Sequence, residues 1–588
     1  MAESLWNDIM YTDVLQSDGF VVDYAVCTTY SMDLPTLLSV PFMLGALSDM
    51  PEDAMQSSYM VLEAINRAAG KFAVFCNAGC IAVPQSNAKI YSLLEQSVVQ
   101  VMLGQSQNGF VNFHPKVWLI KETNHDTGDS QLKLIVMSRN LTRSQDLDVV
   151  CELVGKIGKK KATRRSGAKH KPLADFLGWL AGNAGGDIAD KIDGLIEALA
   201  NVERFELEGS PFVDYEFFPM GIPQYDGVKL CLQESILSGA KDIVAISPFV
   251  DLNVLKQISR CPRKTLITRH SSLTREMIEW FGGEVYAPKE VLVDNEDKDM
   301  TVDLHEKVYF VHRSSNGRNT NHLYLGSTNA STNGFGRNVE FLLHLQFAPY
   351  KVTYDSFCRE LLEAKESLFE KVTGVPDKKD EPDNINDQKI LQSAILQITG
   401  ADVEEDGPAY KVTLRCNKGC LPDVTIYPLG CEAVAAMLAD GLVFGGIPLV
   451  MLTEFYVIKV GGLQRLIKVP TTGIPTEERD RAIFRSMIDT PAKFINYLAL
   501  MLSDDPVYYD HEIRRFEEEQ KAKHSSVQRL EQISLSLYED MVRMAYKEPE
   551  RLLSVKKLLE KADESVIPEN FKELYTAFDK VLKKIKRL

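Results

Sequence analysis

Two of the ten histidines open the same pattern: a His, any residue, a Lys, then four apolar residues. They are His114-Pro-Lys116-VWLI and His305-Glu-Lys307-VYFV. Alternate residues of a strand share a face, so each His and its Lys point the same way. Downstream, Ser138-Arg139-Asn140 and Ser327-Thr328-Asn329 repeat the alternate spacing, with Asn140 26 residues after His114 and Asn329 24 residues after His305. A carboxylate follows each set. Glu340 lies 35 residues after His305, and Glu152 lies 38 after His114, where ELV aligns with EFL. Asp148 is the rival to Glu152, which is preferred. Both chosen carboxylates precede apolar residues and so belong to half-buried strands. A buried charge is expensive unless paired, and a neighbouring imidazole is the obvious partner.

These residue types suit phosphoryl transfer. A phosphodiester is anionic and resists anionic attack. A neutral imidazole avoids that repulsion and can form a phospho-histidine. A second imidazole, protonated, can give its proton to the leaving oxygen. Two Lys and two Asn offer donors to the non-bridging oxygens. The carboxylates hold each ring in one tautomer. Two ammonium groups bring the positive charge a divalent metal would otherwise supply, so the expectation is catalysis with no metal and no cofactor. Ser138, Ser327 and Arg139 are expected to touch substrate. For Arg139, as for Arg143, a solvated loop is an equally open reading. His270, in TRHSS, reads as a loop histidine, with a cleft lining as the alternative.

The elements that must position these groups recur in order. VVDYAVCTTYSMDLPTLL corresponds to KDIVAISPFVDLNVLKQI, KFAVFCNAG to RKTLITRHS, FHPKVWLI to LHEKVYFV, LKLIVMSRN to NHLYLGSTN, and DVVCELVGKI to NVEFLLHLQF. Such a series marks an internal repeat of strands alternating with helical stretches. Asp33 and Asp251 stand where a carboxylate would cap a helix start. Between the copies, residues 155–172 carry Lys156, Lys159, Lys160, Lys161, Arg164, Arg165, Lys169 and Lys171. With no apolar periodicity, this run reads as a flexible loop. Lys159, Lys160 and Arg164 are its candidates for contact with a phosphate backbone. A helical connector follows, from ADFLGWL to EALANVERF.

The chain has 588 residues and a formal net charge of −16. It is too long for one core, and too acidic to grip nucleic acid over its whole surface. The expected divisions are 1–154, a first half; 155–205, basic linker and connector; 206–370, a second half; 371–390, a charged linker; 391–475, β-rich; and 476–588, helical. Phe455–Val460 and Leu463–Lys468 flank Gly461-Gly462, a hairpin signal. MAESLWNDIM lacks the form of a secretory leader. VAAMLADGLVFGGIPLVML is broken by Asp440 and three glycines and does not read as a membrane span. A cytoplasmic location is expected. Cys76/Cys80 and Cys416/Cys420 share a C-x3-C spacing without nearby His, which favours structural thiols over zinc. No G-x4-G-K-S/T sequence is present, so any motor would come from a partner ATPase.

The repeated motif resembles the phospholipase D superfamily, whose mark is a paired H-x-K-x4-D followed by G-S-x-N. The resemblance spans roughly residues 20–350. The second copy fits at His305, Lys307, Gly326, Ser327, Asn329 and Glu340, while the first has Met137 at the Gly. Both copies replace the motif Asp, by Lys121 and His312. In this the sequence is similar to the tyrosyl-DNA phosphodiesterases. The resemblance implies an α/β fold of two α-β-α halves with mixed sheets, joined here by a β-rich segment and a helical C-terminal region. It implies His114 as nucleophile and His305 as general acid, a role assignment that could be swapped. It also implies a nuclease acting on DNA or RNA, of a type found in bacterial antiviral defence modules. A non-catalytic nucleic-acid-binding module and a phospholipid phosphodiesterase or transferase are the alternatives. Nucleic acid, a partner ATPase or a second copy of the chain are the expected partners; a membrane is not.

Overall fold

The computed structural model describes residues 14–45, 57–85, 88–106, 109–143, 146–289, 303–315, 318–363, 367–374, 385–417, 421–502, 537, 539, 541–543 and 551–585. In the first half β1 (Phe20–Thr29), β2 (Phe72–Asn77) and β3 (Val98–Val101) run parallel. On the other side of β1, β4 (Val117–Asn124), β5 (Ser130–Met137) and β6 (Val150–Lys156) continue antiparallel, in the order β6-β5-β4-β1-β2-β3. Helices α1 (Leu34–Met43) and α2 (Ser58–Ala68) cover one face. Next come α3 (Arg164–Ala184) and α4 (Gly186–Leu199).

The second half comprises β7 (Phe212–Met220), β8 (Ala240–Ile246), α5 (Leu252–Ile258), β9 (Arg263–Ile267), β10 (Glu284–Pro288), β11 (Val308–Ser315), β12 (Arg318–Gly326), β13 (Glu340–Phe347) and β14 (Phe369–Lys371). Its sheet runs β7-β13-β12-β11-β8-β9-β10-β14. The inner six strands repeat the order and directions of the first sheet. The fold is therefore mixed α/β with two mixed sheets. Asp33 and Asp251 cap α1 and α5, accepting from the N–H of Thr36 at 2.6 Å and Val254 at 3.0 Å. Val26, Phe75 and Leu119 of one sheet share an apolar layer with Val244, Phe310 and Phe341 of the other, closed by Leu173, Phe176 and Leu180 of α3. Burial of this layer draws the halves together.

The basic run departs from expectation. It is not a loop throughout: Lys156 ends β6, and α3 begins at Arg164. Thr163 caps the helix, its hydroxyl accepting from the Ser166 N–H, and Glu203 takes the Thr163 N–H at 2.9 Å and the Ser166 hydroxyl at 2.8 Å. The buried residues of α3 start only at His170 and continue through Leu173, Phe176, Leu177 and Leu180. The first turns thus show no apolar period because they are a solvated face.

After the second half come α6 (Ile385–Ile395), β15 (Ile398–Asp406), β16 (Ala409–Cys416), β17 (Leu421–Pro428), β18 (Phe455–Val460) and β19 (Leu463–Lys468). β18 and β19 form the hairpin the two glycines predict, with Val460 opposite Leu463 and Gly461 at φ +54°. The hydrogen bonding of this sheet crosses into the first half. Leu466 of β19 pairs with Ile81, and Ile81 pairs with Met32. Helices α7 (Thr476–Met487), α8 (Pro491–Leu502), α9 (Arg551–Lys561) and α10 (Glu569–Ile585) pack against α1 and α2 in one core. Among the described residues no helix is long and apolar enough to cross a membrane.

One ion pair ties the C-terminal region to the first half. Arg479 of α7 meets Glu95 at 2.8 Å, both 1% exposed. Glu95 also accepts from the Thr453 hydroxyl and the Glu454 N–H. Removing one partner strands a buried charge. Arg479→Met should therefore lower stability by about 3–5 kcal/mol in chemical denaturation. The Glu95→Gln/Arg479→Met double variant should lose less; equal losses would show that the charge pairing is not what the site depends on.

Candidate active site

The two His-x-Lys segments arrive at one place because the halves are stitched across their interface. The His114 N–H donates to Val339 O at 2.9 Å, and the His305 N–H donates to Leu147 O at 3.0 Å. Phe113 bridges Val339 and Leu304 bridges Leu147, both in parallel sense. Each loop that delivers a histidine thus lies against the other half's strand entry. The residue after each bridge is a carboxylate, Glu340 or Asp148.

The rings are held crosswise. His114 Nδ1 bonds Glu340 Oε2 at 2.9 Å, and His305 Nδ1 bonds Asp148 Oδ1 at 2.9 Å. A carboxylate at Nδ1 holds the proton there and leaves Nε2 as the reactive atom. The side chains of His114 and His305 keep 13% and 14% exposure, while Glu340 is fully buried. Burial pushes the His114 ring down to about 4; Glu340 opposes this, and the Lys116 charge adds to it. Burial and then Lys307 bring His305 to about 4 as well, against the pull of Asp148. Burial would raise Asp148, but its bond to His305, that ring's charge and the Ser138 hydroxyl hold it below the ordinary carboxylate range.

Asp148, not the preferred Glu152, is thus the first-half carboxylate. Glu152 is 38% exposed on β6 and faces Lys133 at 4.0 Å. Register explains the difference. Met137 pairs with Val150 and Gly326 with Leu342, which equates Asp148 with Glu340. The signal was available in the spacing: Asp148 follows His114 by 34 residues, nearer the 35 of the second copy than the 38 of Glu152.

The serines do not face substrate as expected. Ser138 donates to Asp148 at 2.6 Å and accepts from the Val149 N–H at 2.9 Å. Ser327 donates to Glu340 and accepts from the Phe341 N–H at 3.0 Å. Both are fully buried and aim the carboxylates. Asn338 adds a bond to Glu340 at 3.2 Å. At Gly326, φ is +148° and a Cβ would meet Phe341 O at 2.3 Å, so the second copy needs glycine there. The first copy has Met137, which is not among the positive-φ residues.

Lys116 and Lys307 are each 1% exposed. Lys116 Nζ donates to His114 O at 2.9 Å, and Lys307 Nζ to His305 O. Each ammonium has further protons to offer. Burial, then the charge of Lys307, holds Lys116 well below its ordinary value; burial brings Lys307 to about 8. Asn140 and Asn329 sit half-buried on tethered loops. Leu141 N–H donates to the Thr29 hydroxyl at 3.0 Å and Ala330 N–H to the Ser247 hydroxyl at 2.9 Å. Ser247 also reaches Asn329 Oδ1 at 3.4 Å. Thr29 and Ser247 were missed in the sequence, although they occupy equivalent places in the repeat. So was Glu306, which burial and then Asp148 push up to about 7.

Other candidates lie elsewhere. β6 leaves the site at Val150 and reaches Lys156 six residues on, about 20 Å away at strand rise. Lys159, Lys160 and Arg164 are exposed beyond that far end, which argues against direct contact at the imidazoles. Arg139 is half-buried beside Asn140. Lys121 pairs with Asp23 at 3.1 Å and His312 with Asn321 at 2.7 Å, both outside the cluster. His270 lies 4.0 Å from Glu370 at the β14 edge.

No family model matches the chain, and no curated protein matches it. Among solved structures, it is similar to the crystal structure of polyphosphate kinase from Porphyromonas gingivalis, with 12% identity and a TM-score of 0.34, covering 63% of this chain and 48% of that one. The chain thus spans about half the length of that structure. A TM-score this low carries no weight for function.

The crossed pairing has a spectroscopic consequence. In spectra of protein labelled with ¹⁵N-histidine, Asp148→Asn should move the ring signals of His305, whereas Glu152→Gln should leave them in place. The opposite pattern would restore Glu152 as the partner.

Proposed function

We propose that the chain is a metal-independent phosphodiesterase of the phospholipase D type, cleaving nucleic acid through a phospho-histidine intermediate. The observation that carries this reading is the pair of crossed contacts, His114 with Glu340 and His305 with Asp148, each at 2.9 Å. Neutral His114 Nε2 attacks phosphorus, and a P–N bond forms as the P–O bond to the leaving group breaks. His305, protonated, gives its proton to that oxygen. His305 then takes a proton from water, whose oxygen attacks phosphorus; the P–N bond breaks and His114 is freed. Lys116, Lys307, Asn140 and Asn329 donate to the non-bridging oxygens throughout. The two lysines lie beside the two carboxylates, so the bound phosphate adds negative charge to a balanced cluster.

Purified protein should cut oligonucleotides in the presence of EDTA. His114→Ala and His305→Ala should each lower the rate by about 10⁴-fold or more. Acid-labile phosphate on His114 should be recoverable from His305→Ala incubated with a p-nitrophenyl phosphodiester, whose leaving group departs without a proton while hydrolysis of the P–N bond still lacks its base. Loss of cutting on chelation, or full activity in His114→Ala, would remove the assignment.

The pH profile follows from the rings. One must be neutral and the other protonated, and each is held at about 4. Above pH 5 most free molecules carry neither proton, so the productive singly protonated form declines as pH rises. The profile of kcat/KM, which reports the free enzyme, should therefore peak on the acid side and fall through pH 5–7. A peak at pH 8 would contradict this.

A further inference from the structure

A cavity of about 450 Å³ adjoins the His114 side of the site, within the ~300–1,000 Å³ usual for small-ligand sites. Tyr30, Ser31, Cys80 and Thr142 of the first half form its near wall, and Gln392 of α6 with Arg465 of β19 its far wall. The near wall is continuous with the reacting groups. The Tyr30 ring lies 5.0 Å from the His114 ring, and Lys116 Nζ lies 5.9 Å from the centroid of the same ring. Thr142 donates its N–H to Asn140 O at 2.9 Å.

Arg465 is half-buried, and its Nη1 donates to Gln464 O at 2.9 Å. Among the described residues Arg465 is in no ion pair, and its charge acts on the Tyr30 hydroxyl and the Cys80 thiol of the opposite wall. An aromatic face and a guanidinium across a cavity of this size suit a base and the phosphate attached to it. The opposite flank also carries an aromatic beside a guanidinium, here one already paired with Asp303 at 3.0 Å. Phe249 is 51% exposed, with the Arg269 guanidinium 5.0 Å from its ring centroid, and Arg269 Nε donates to Leu304 O beside His305.

We infer that the cavity is a subsite for the nucleotide next to the scissile phosphate, and that the substrate is a single strand. This rests on the phosphodiesterase reading of the adjoining site. The base stacks on Tyr30, and the neighbouring phosphate meets Arg465. The strand then runs between the imidazoles toward Phe249. Stacking on an aromatic needs an unpaired base, which a duplex does not offer. On this view the C-terminal β-rich segment supplies one wall of the substrate site.

The test measures binding and cleavage separately on the full chain. Fluorescence polarisation with a labelled oligothymidylate of about 12 nucleotides would be read on His305→Asn protein, with and without Arg465→Gln. A second variant, Gln388→Trp, fills the cavity from the exposed rim of α6. Each should weaken binding about tenfold. In the active chain, Arg465→Gln should lower the ratio of oligonucleotide to bis(p-nitrophenyl) phosphate efficiency by a similar factor, mainly through KM. Unaltered binding in both variants, equal affinity for duplex and single strand, or no oligonucleotide binding at all would overturn the inference. So would Arg465-dependent binding to phosphatidylglycerol vesicles without oligonucleotide binding. Arg465-dependent binding by a parent chain that cuts nothing would support the subsite while removing the phosphodiesterase reading.

Discussion

Each imidazole is oriented by a carboxylate from the other half of the chain, and the rest of the site depends on that exchange. Glu340 cannot hold His114, nor Asp148 hold His305, unless the two sheets are docked. The backbone enforces the same condition, since the amide of each histidine is satisfied by the other half's Val339 or Leu147. Neither half carries a working site alone. The apolar layer between the sheets thus holds the proposed active site together as well as stabilising the fold.

The exchange also makes a cluster of buried charge tolerable. Two ammonium groups and two carboxylates from both halves are gathered close enough to act on one another, nearly all removed from water. Isolated, each would be prohibitive. Together they offset, and serines, Asn338 and backbone carbonyls satisfy part of what remains, leaving Asp148 Oδ2 without a partner among the described residues and each ammonium with protons to offer. Burial still keeps the rings neutral and the lysines easier to deprotonate. What the cluster keeps is unused ammonium protons beside the two rings, which the proposed phosphodiester would take up.

Much of this was legible in the residues. The doubled His-x-Lys, the Ser-x-Asn pairs and the five corresponding segments are local patterns, and they map onto equivalent strands of the two sheets. What was not legible depended on register or distance. Asp148 lost to Glu152 because an apolar match placed the strand too late, a slip that pairing with β5 corrects. The serines sat at motif positions, but only the fold shows that they face carboxylates. The basic run hid a helix, because its first turns bury nothing. The place of Arg465 could not be read at all, since it lies more than 300 residues from His114 and reaches that neighbourhood only through pairing of the C-terminal sheet with Ile81.

A crystal structure with vanadate would examine the convergence most directly. The account predicts one vanadium atom between His114 Nε2 and His305 Nε2, with its equatorial oxygens on Lys116, Lys307, Asn140 and Asn329. Vanadate held by one imidazole alone, or bound elsewhere while both rings remain empty, would contradict it.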